Sequence, residues 1–540
     1  MPQRPDIIIL NPDEMRWDAL GHAGNPASRT PHLDAFAQND AVSFRRAYCQ
    51  NPVCVPSRCS FFTGLYPHVY GHRTMQYLQH PGESNLFREL KNAGYHVWMN
   101  SRNDLTAAQF PGLVEQQADE IYYGEPRSTA PRPAAVPSPA PAAGRDPFFY
   151  SHYRGHDKTG PDPDVQAAQA ACRRILELPK DQPLCLFLGW MNPHPPYEVE
   201  QEYYDRIDPA AVPAPVRLED CAGKARMIGR LHELVELDGY TAEQWRELRR
   251  VYLAQCAKID DLFGMVCGAL KQAGRYDASA IFVLSDHGDF CGDYGLPEKA
   301  QNCFEDCLTR VPLLIKPPKG QAVDPGQTDS LAELVDFYAT AMDYAGVAPD
   351  HDHFGRSLRP VVENRAATVR QYVCCEGGRN PGETQCDEWH ASGPAGPRPW
   401  RDEYWPKKTA QKDDLTHEKG TMICDGHYKY VERPSGANEL YDLAADPQEK
   451  TNLYPAQAES PLVLRLRLAL LGWYQTTCDT VPRPYDSRMT DEQLWRIAAN
   501  WCPPEREAQV RAYIRAHPGV GINPLRMAVE KMLEEPLGIG

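Results

Sequence analysis

Short apolar runs that end in loops rich in acids, histidines and prolines, each followed by a stretch with helical patterning, recur from Asp6 to Ala345. This alternation constrains the fold more than any other feature. Asp6, Ile7, Ile8, Ile9 and Leu10 read as a strand buried on both faces, running straight into Asp13 and Glu14. Residues 95–99, 184–190, 280–284 and 311–315 have the same character. Between them the spacing predicts helices over residues 85–93, closed by Gly94, and over 164–178, 242–273 and 331–345. In the third of these, Trp245, Leu248, Tyr252, Ile259, Leu262, Phe263 and Val266 make a core-facing stripe. Thr30 and Pro31 are the expected N-cap and first residue of a shorter helix carrying Leu33 and Phe36. Repetition of this kind predicts an α/β fold, a large and mostly parallel sheet sandwiched by helices. Such sheets bind ligands in the loops at their carboxyl ends.

Residues 1–365 are assigned to this layered unit as one catalytic domain. Within it, residues 125–147 hold seven prolines and are expected to form an extended flap that continues neither helix nor sheet. Beyond residue 366, short aromatic strands and turns, among them residues 428–431 and 439–442, predict a smaller C-terminal antiparallel-sheet subdomain reaching residue 475. Residues 476–540 read as a proline-punctuated helical extension. Its Trp495, Ile497, Trp501, Tyr513 and Ile514 are expected to dock on the body or on another subunit, which makes a homo-oligomer the expected assembly.

Charge removes several classes of partner. A net charge of −16 over 540 residues leaves no broad basic surface for phosphate neutralisation, so nucleic acid is not an expected partner. An anionic substrate needs a local positive site within that field, which a metal ion with a few Arg and Lys would supply. No apolar run approaches the roughly 18 residues of a membrane span, so no membrane is expected either. Ile7 to Leu10 are too few for a signal-peptide core, and the chain reads as cytoplasmic. The 17 cysteines form no Cys-x-x-Cys pair and no regular framework, and most are expected to be reduced, partly buried thiols. Cys54 is set apart by its neighbours.

Cys54-Val-Pro-Ser-Arg58 is followed by Thr63-Gly64. This segment resembles the signature of the sulfatase family, Cys-x-Pro-Ser-Arg with Thr-Gly a few residues on, in which a formylglycine-generating maturation enzyme oxidises the Cys. The residue types suit that chemistry. A hydrated aldehyde carries two hydroxyls on one carbon, one to attack sulfur and one to collapse and expel sulfate, whereas serine has only one. Pro56 would restrict the turn, a helix beginning near Ser57 would aim its amino end at the anion, and Arg58 would brace the diol and balance its charge.

Asp13-Glu14 ends the first strand and Asp286-His287 a later one, which offers two clusters for a hard divalent cation. With Cys54 between them they follow the sulfatase order of acidic pair, nucleophile, then Asp-Asn or Asp-His. The resemblance implies one metal site of Asp13, Glu14, Cys54, Asp286 and His287, with calcium expected first and magnesium or manganese as alternatives. His194, in Asn192-Pro-His-Pro-Pro196, resembles the family histidine that contacts sulfate or leaving group. Lys299 resembles its sulfate-contacting lysine, and either of the two could protonate the leaving group. Glu439-Leu-Tyr-Asp442 through Asn452-Leu453 resembles the end of the family's second subdomain, so the resemblance runs from residue 6 to about residue 455.

Some positions depart from the commonest pattern. His287 stands where many members have Asn, and Glu14 where Asp or Gln is common. Where many sulfatases have Gly-Lys-x-His, this chain has Arg102 and Asp104. Both are expected at the substrate: Arg102 through its planar fork, Asp104 by orienting Arg102 or binding a hydroxyl or amine. The implied fold is alkaline-phosphatase-like. The implied activity is hydrolysis of a sulfate monoester on an aryl, alkyl or carbohydrate group. The alternative is a phosphonate monoester or phosphodiester hydrolase of the same superfamily, promiscuous for both, which Asp286-His287 and the missing Lys-x-His permit.

Overall fold

The computed structural model describes residues 4–125, 151–235, 240–388, 403–481 and 488–534. The stretch expected as a flap over residues 125–147 lies, past its first residue, outside the described residues. The first strands are β1 (Asp6–Asp13), β2 (Val42–Tyr48), β3 (His96–Asn100) and β4 (Glu120–Tyr122). β5 (Tyr153–Gly155), β6 (Leu184–Pro193) and β7 (Tyr197–Glu198) follow, with β5 and β7 pairing apart from the rest. β8 (Ser279–Leu284), β9 (Leu313–Lys316) and β10 (Gly326–Glu333) complete an eight-stranded sheet ordered β10, β2, β9, β8, β1, β6, β3, β4. Neighbours are parallel except where β9 runs antiparallel to β2 and β8. The mostly parallel sheet is thus as expected. The exception has a cause: between β8 and β9 the only α-helix is the single turn Asp306–Thr309, so no crossover helix returns the chain to the other end of the sheet.

Strand alternation loads both faces. Ile7 and Ile9 of β1 join Cys185, Phe187, Phe282 and Leu284 in one core, under helices Cys54–Thr63, Leu86–Asn92 and Val335–Ala345. Ile8 and Leu10 join Leu186, Leu188, Ile281 and Val283 in the other, under helices Pro31–Asn39, Pro163–Glu177 and Ala242–Gln272. Ile7 to Leu10 have no exposed surface, and each such side chain contributes about 1.5–3 kcal/mol by leaving water. The longest helix is one unbroken element opened by a Thr241–Gln244 capping box.

Three expectations are corrected. Thr30 does not cap its helix: the amide N–H groups of His32 and Leu33 donate instead to Asp260, at 3.0 and 2.7 Å. The helix expected over residues 331–345 begins at Val335, because Leu331 to Glu333 finish β10. The helix expected near Ser57 begins at Cys54. β2 was not anticipated, since Ser43, Arg45 and Arg46 interrupt its apolar pattern.

A separate antiparallel sheet, β11 (Val373–Gly377), β12 (Gly420–Cys424), β13 (Tyr428–Glu432) and β14 (Glu439–Asp442), carries the expected smaller region. Val373, Cys375, Met422, Cys424 and Val431 pack into the core under the large sheet, and the opposite face is covered by Val463, Leu466 and Leu470 of helix Pro461–Thr477. These elements belong to one compact unit, Met1–Asp479. Thr480–Gly540 forms a second unit, in which Trp495, Ile514, Leu525 and Val529 share a small helical core of their own.

Candidate active site

Four adjacent strands, β8, β1, β6 and β3, run parallel and release their carboxyl ends at one place. β1 ends at Asp13, and Glu14 follows with a left-handed φ of 66°. Asp286 and His287 follow β8, His194 follows β6, and Arg102 and Asp104 follow β3. Cys54 opens the helix Cys54–Thr63, so the thiol itself occupies the first turn, and Ser57 Oγ pins that turn by donating to the Asp286 carbonyl at 2.6 Å. Gly288 is required beside His287, because a Cβ there would sit 2.0 Å from the Cys307 carbonyl oxygen.

The predicted residues converge. Arg58 is fully buried and forks between two carboxylates, Nε to Asp286 and a terminal nitrogen to Asp13, both at 2.8 Å. It also donates to the Arg102 carbonyl at 2.7 Å, with Asp104 3.6 Å away. Arg102 donates to the same Asp13 oxygen as Arg58. His287 Nδ1 lies 2.9 Å from the Gly288 carbonyl, an acceptor, so Nδ1 carries the proton and the Nε2 lone pair faces Cys54 Sγ at 3.3 Å. Cys54 Sγ lies 3.7 Å from Asp13 Oδ1. Lys299 Nζ donates to Glu14 at 2.8 Å and to His194 Nε2 at 3.0 Å. Asp13, Glu14, Asp286 and His287 have no exposed surface, whereas the Arg102 and Asp104 side chains are 23% and 33% exposed, which marks the open rim.

Burial opposes the ionised form of Asp13, yet Arg102 and Arg58 outweigh it and hold that carboxyl well below the usual range. Burial pushes Glu14 well above it, because Lys299 offsets it only in part while Asp289, Glu298 and Asp13 repel. Burial, with Asp13 beside it, pushes the Cys54 thiol well up. Burial and Lys299 lower His194, while Glu14 and Glu298 outweigh burial and hold the Lys299 ammonium well above its ordinary value. The shared proton therefore sits on Lys299, and the His194 ring is neutral.

This donor set fits a divalent cation. Ligand atoms of Asp13, Cys54, Asp286 and His287 lie within 4.8 Å of one another, and Asp13, Glu14 and His194 form a second such group. Glu14 Oε1 is buried without a hydrogen-bond partner. Carboxylate oxygens and an imidazole with a free lone pair suit calcium, magnesium or manganese. Sequence reasoning missed two contributors. Glu298, adjacent to Lys299 and at φ 61°, also binds its ammonium, at 2.8 Å. Lys407, 109 residues away, holds the other Glu298 oxygen. The neighbouring Lys299 was a signal for Glu298, and nothing local signals Lys407.

The sequence pattern that defines the sulfatase family matches residues 5–347, and the chain belongs to that family of sulfate-ester hydrolases. Among its relatives, a multifunctional alkaline phosphatase superfamily protein, PehA of Trinickia caryophylli, is 25% identical over 90% of this chain and 98% of its own. A choline-sulfatase of Rhizobium meliloti is 24% identical over 85% of this chain and 83% of its own. The crystal structure of a phosphonate monoester hydrolase of Agrobacterium radiobacter shares the fold, with a TM-score of 0.66 at 20% identity over 91% and 99% of the two chains.

Proposed function

We propose that this protein hydrolyses a sulfate monoester of a small molecule or carbohydrate, with formylglycine made from Cys54 as nucleophile and one cation, calcium first, held by Asp13, Glu14, Cys54, Asp286 and His287. The observation that carries this reading is the placement of Cys54 in the first turn of a helix, 3.3 Å from His287 Nε2 and 3.7 Å from Asp13. Burial and the neighbouring Asp13 disfavour the Cys54 thiolate, which is in keeping with a modified residue in place of thiolate chemistry. An aldehyde at this position supplies, once hydrated, a hydroxyl to attack and a second to expel the anion. A divalent cation at these carboxylates supplies positive charge to the oxygens of the ester.

The chain's own groups do the rest. Arg58 balances Asp13 and Asp286 and fixes their orientation. Arg102, at the rim, offers guanidinium N–H groups to an incoming oxyanion, and Asp104, 3.6 Å from Arg58, adds negative charge beside both arginines. Lys299 supplies the positive charge beside the leaving oxygen and can turn an N–H to it once Glu14 is drawn to the cation, while His194 holds Lys299 from the side. A cytoplasmic setting would keep the 17 unpaired thiols reduced.

A second reading, hydrolysis of phosphonate monoesters or phosphodiesters, draws on His287 facing Cys54 and on the relative named as multifunctional. Both substrate types present a monoanion to the same charges, so rates measured side by side on an aryl sulfate and an aryl phosphonate monoester decide between them. The sulfate is expected to be faster, and a ratio strongly favouring the phosphonate reverses the order. Conversion of Cys54 makes its peptide about 18 Da lighter in protein made with the maturation enzyme. Unchanged thiol under those conditions removes the proposed nucleophile.

A further inference from the structure

Lys299 is held by more than the groups that bind a cation. Its ammonium donates to Glu14 at 2.8 Å, to Glu298 at 2.8 Å and to His194 at 3.0 Å, which uses all three of its N–H bonds. Glu14 belongs to the cation's ligand set, so a bound cation competes for that carboxylate. Glu298 has no such second claim on it. Its backbone is fixed at φ 61°, its N–H donates to Tyr197 Oη at 2.9 Å, and its carbonyl accepts from the Phe290 N–H at 2.8 Å. Lys407, on helix Trp405–Ala410, grips its remaining carboxylate oxygen. Glu298 and Lys407 are both buried. The cavity beside them, bounded by His152, Leu296, Tyr404 and Lys407, holds about 30 Å³, room for a water and not for a substrate.

We propose that Glu298 is a positioning residue for Lys299, clamped in turn by Lys407, so that helix Trp405–Ala410 sets the direction in which the Lys299 ammonium points. The proposal rests on the role given to Lys299 above. Burial of two lysines on one carboxylate is otherwise a costly arrangement, and holding the Glu298 oxygen that faces the site against the Lys299 ammonium is what that arrangement secures.

Turnover of the aryl ester by the full chain, carrying formylglycine and loaded with cation, tests this. Lys299→Met should lower kcat by about 10²- to 10⁴-fold. Glu298→Gln should lower kcat by about 10- to 100-fold with KM within about threefold, and Lys407→Met by a smaller factor in the same direction. In the Lys299→Met background, Glu298→Gln should cost less than about twofold more, because the group it acts through is gone. If Glu298→Gln alone does not fold, the charge-balanced Glu298→Gln/Lys407→Met pair carries the same comparison. An additive loss in the Lys299→Met background, or wild-type kcat in a folded Glu298 variant beside a crippled Lys299→Met, overturns the positioning role alone. Wild-type turnover by Lys299→Met overturns the reading of the site and the positioning role together.

Discussion

Strand β1 carries a buried aspartate at each end, and the two are held in opposite ways. At the amino end Asp6 meets one charged partner: a terminal nitrogen of Arg275 reaches both its oxygens, at 3.0 and 2.9 Å, beside the Leu184 N–H at 2.8 Å, and the guanidinium donates further to the carbonyls of Leu178, Pro179 and Gln182. One cation answers one anion. At the carboxyl end Asp13 takes both Arg58 and Arg102, stands within reach of Cys54 and His287, and is joined by Asp286 and Glu14. Burial leaves the Asp6 carboxyl above its ordinary range despite the Leu184 N–H and Arg275, whereas two arginines outweigh burial and draw Asp13 well below it. The contrast teaches that buried charge alone does not mark a reactive site. A site is marked by several charges, from separate strands, that remain only partly satisfied by one another.

Cys54→Ala should break the carboxyl end hardest. Loss of the nucleophile is expected to reduce turnover by about 10⁴-fold or more, with circular dichroism unchanged, and a variant that keeps full turnover would remove the assignment of this end of the sheet. Chelation comes next. Stripping the cation should reduce turnover on the order of 10³-fold and lower the thermal midpoint, since saturation at about 100-fold above Kd stabilises the fold by about 2.7 kcal/mol. Calcium, magnesium and manganese added back separately then rank the metals. A chelated protein with unchanged rate and midpoint would mean that the three carboxylates hold no cation.

Arg275→Met tests the other end and should have the reverse signature. Removing one partner of a buried pair costs about 3–5 kcal/mol, measured by urea unfolding, while kcat stays within about twofold. A large kcat loss without destabilisation would deny that the amino end is purely structural.

The two ends also differ in how far they can be read from the chain. Asp13, Glu14, Cys54, Arg58, Asp286 and His287 announce themselves because each sits directly after a buried strand or in a short local string. β1, β6 and β8 are equally legible, their apolar runs being too short for buried helices and uninterrupted by charge. β2 hides behind Arg45 and Arg46, whose side chains emerge at the surface. The direction of β9 is set by the connection that precedes it and not by its own residues. Caps and braces are lost for one reason: Asp260 reaches the helix at His32 across 228 residues and Lys407 reaches Glu298 across 109, so the partner that wins is supplied by the fold and not by the neighbourhood.

The smallest effect separates two acids by the sign of their pH dependence. Asp162 caps helix Pro163–Glu177 beside the carboxyl end of β6, where burial would raise its carboxyl but bonds from Lys158 and Lys258 bring it down to about 2. Its folded value lies below the unfolded value of about 3.9, so its contribution is full above that value and is lost as pH falls through about 2. Asp6 is raised in the fold, so its contribution is full below the unfolded value and is lost as pH rises through the folded one. Taking the protein from pH 6 to pH 3 should therefore shrink the advantage of wild type over Asp162→Asn and enlarge its advantage over Asp6→Asn. Urea midpoints at the two pH values read both differences, and the general acid sensitivity of the fold cancels within each pair. Parallel changes in the two gaps would mean that Arg275 and the Leu184 N–H together outweigh burial at Asp6, and the amino end of β1 would then hold its charge as its carboxyl end does.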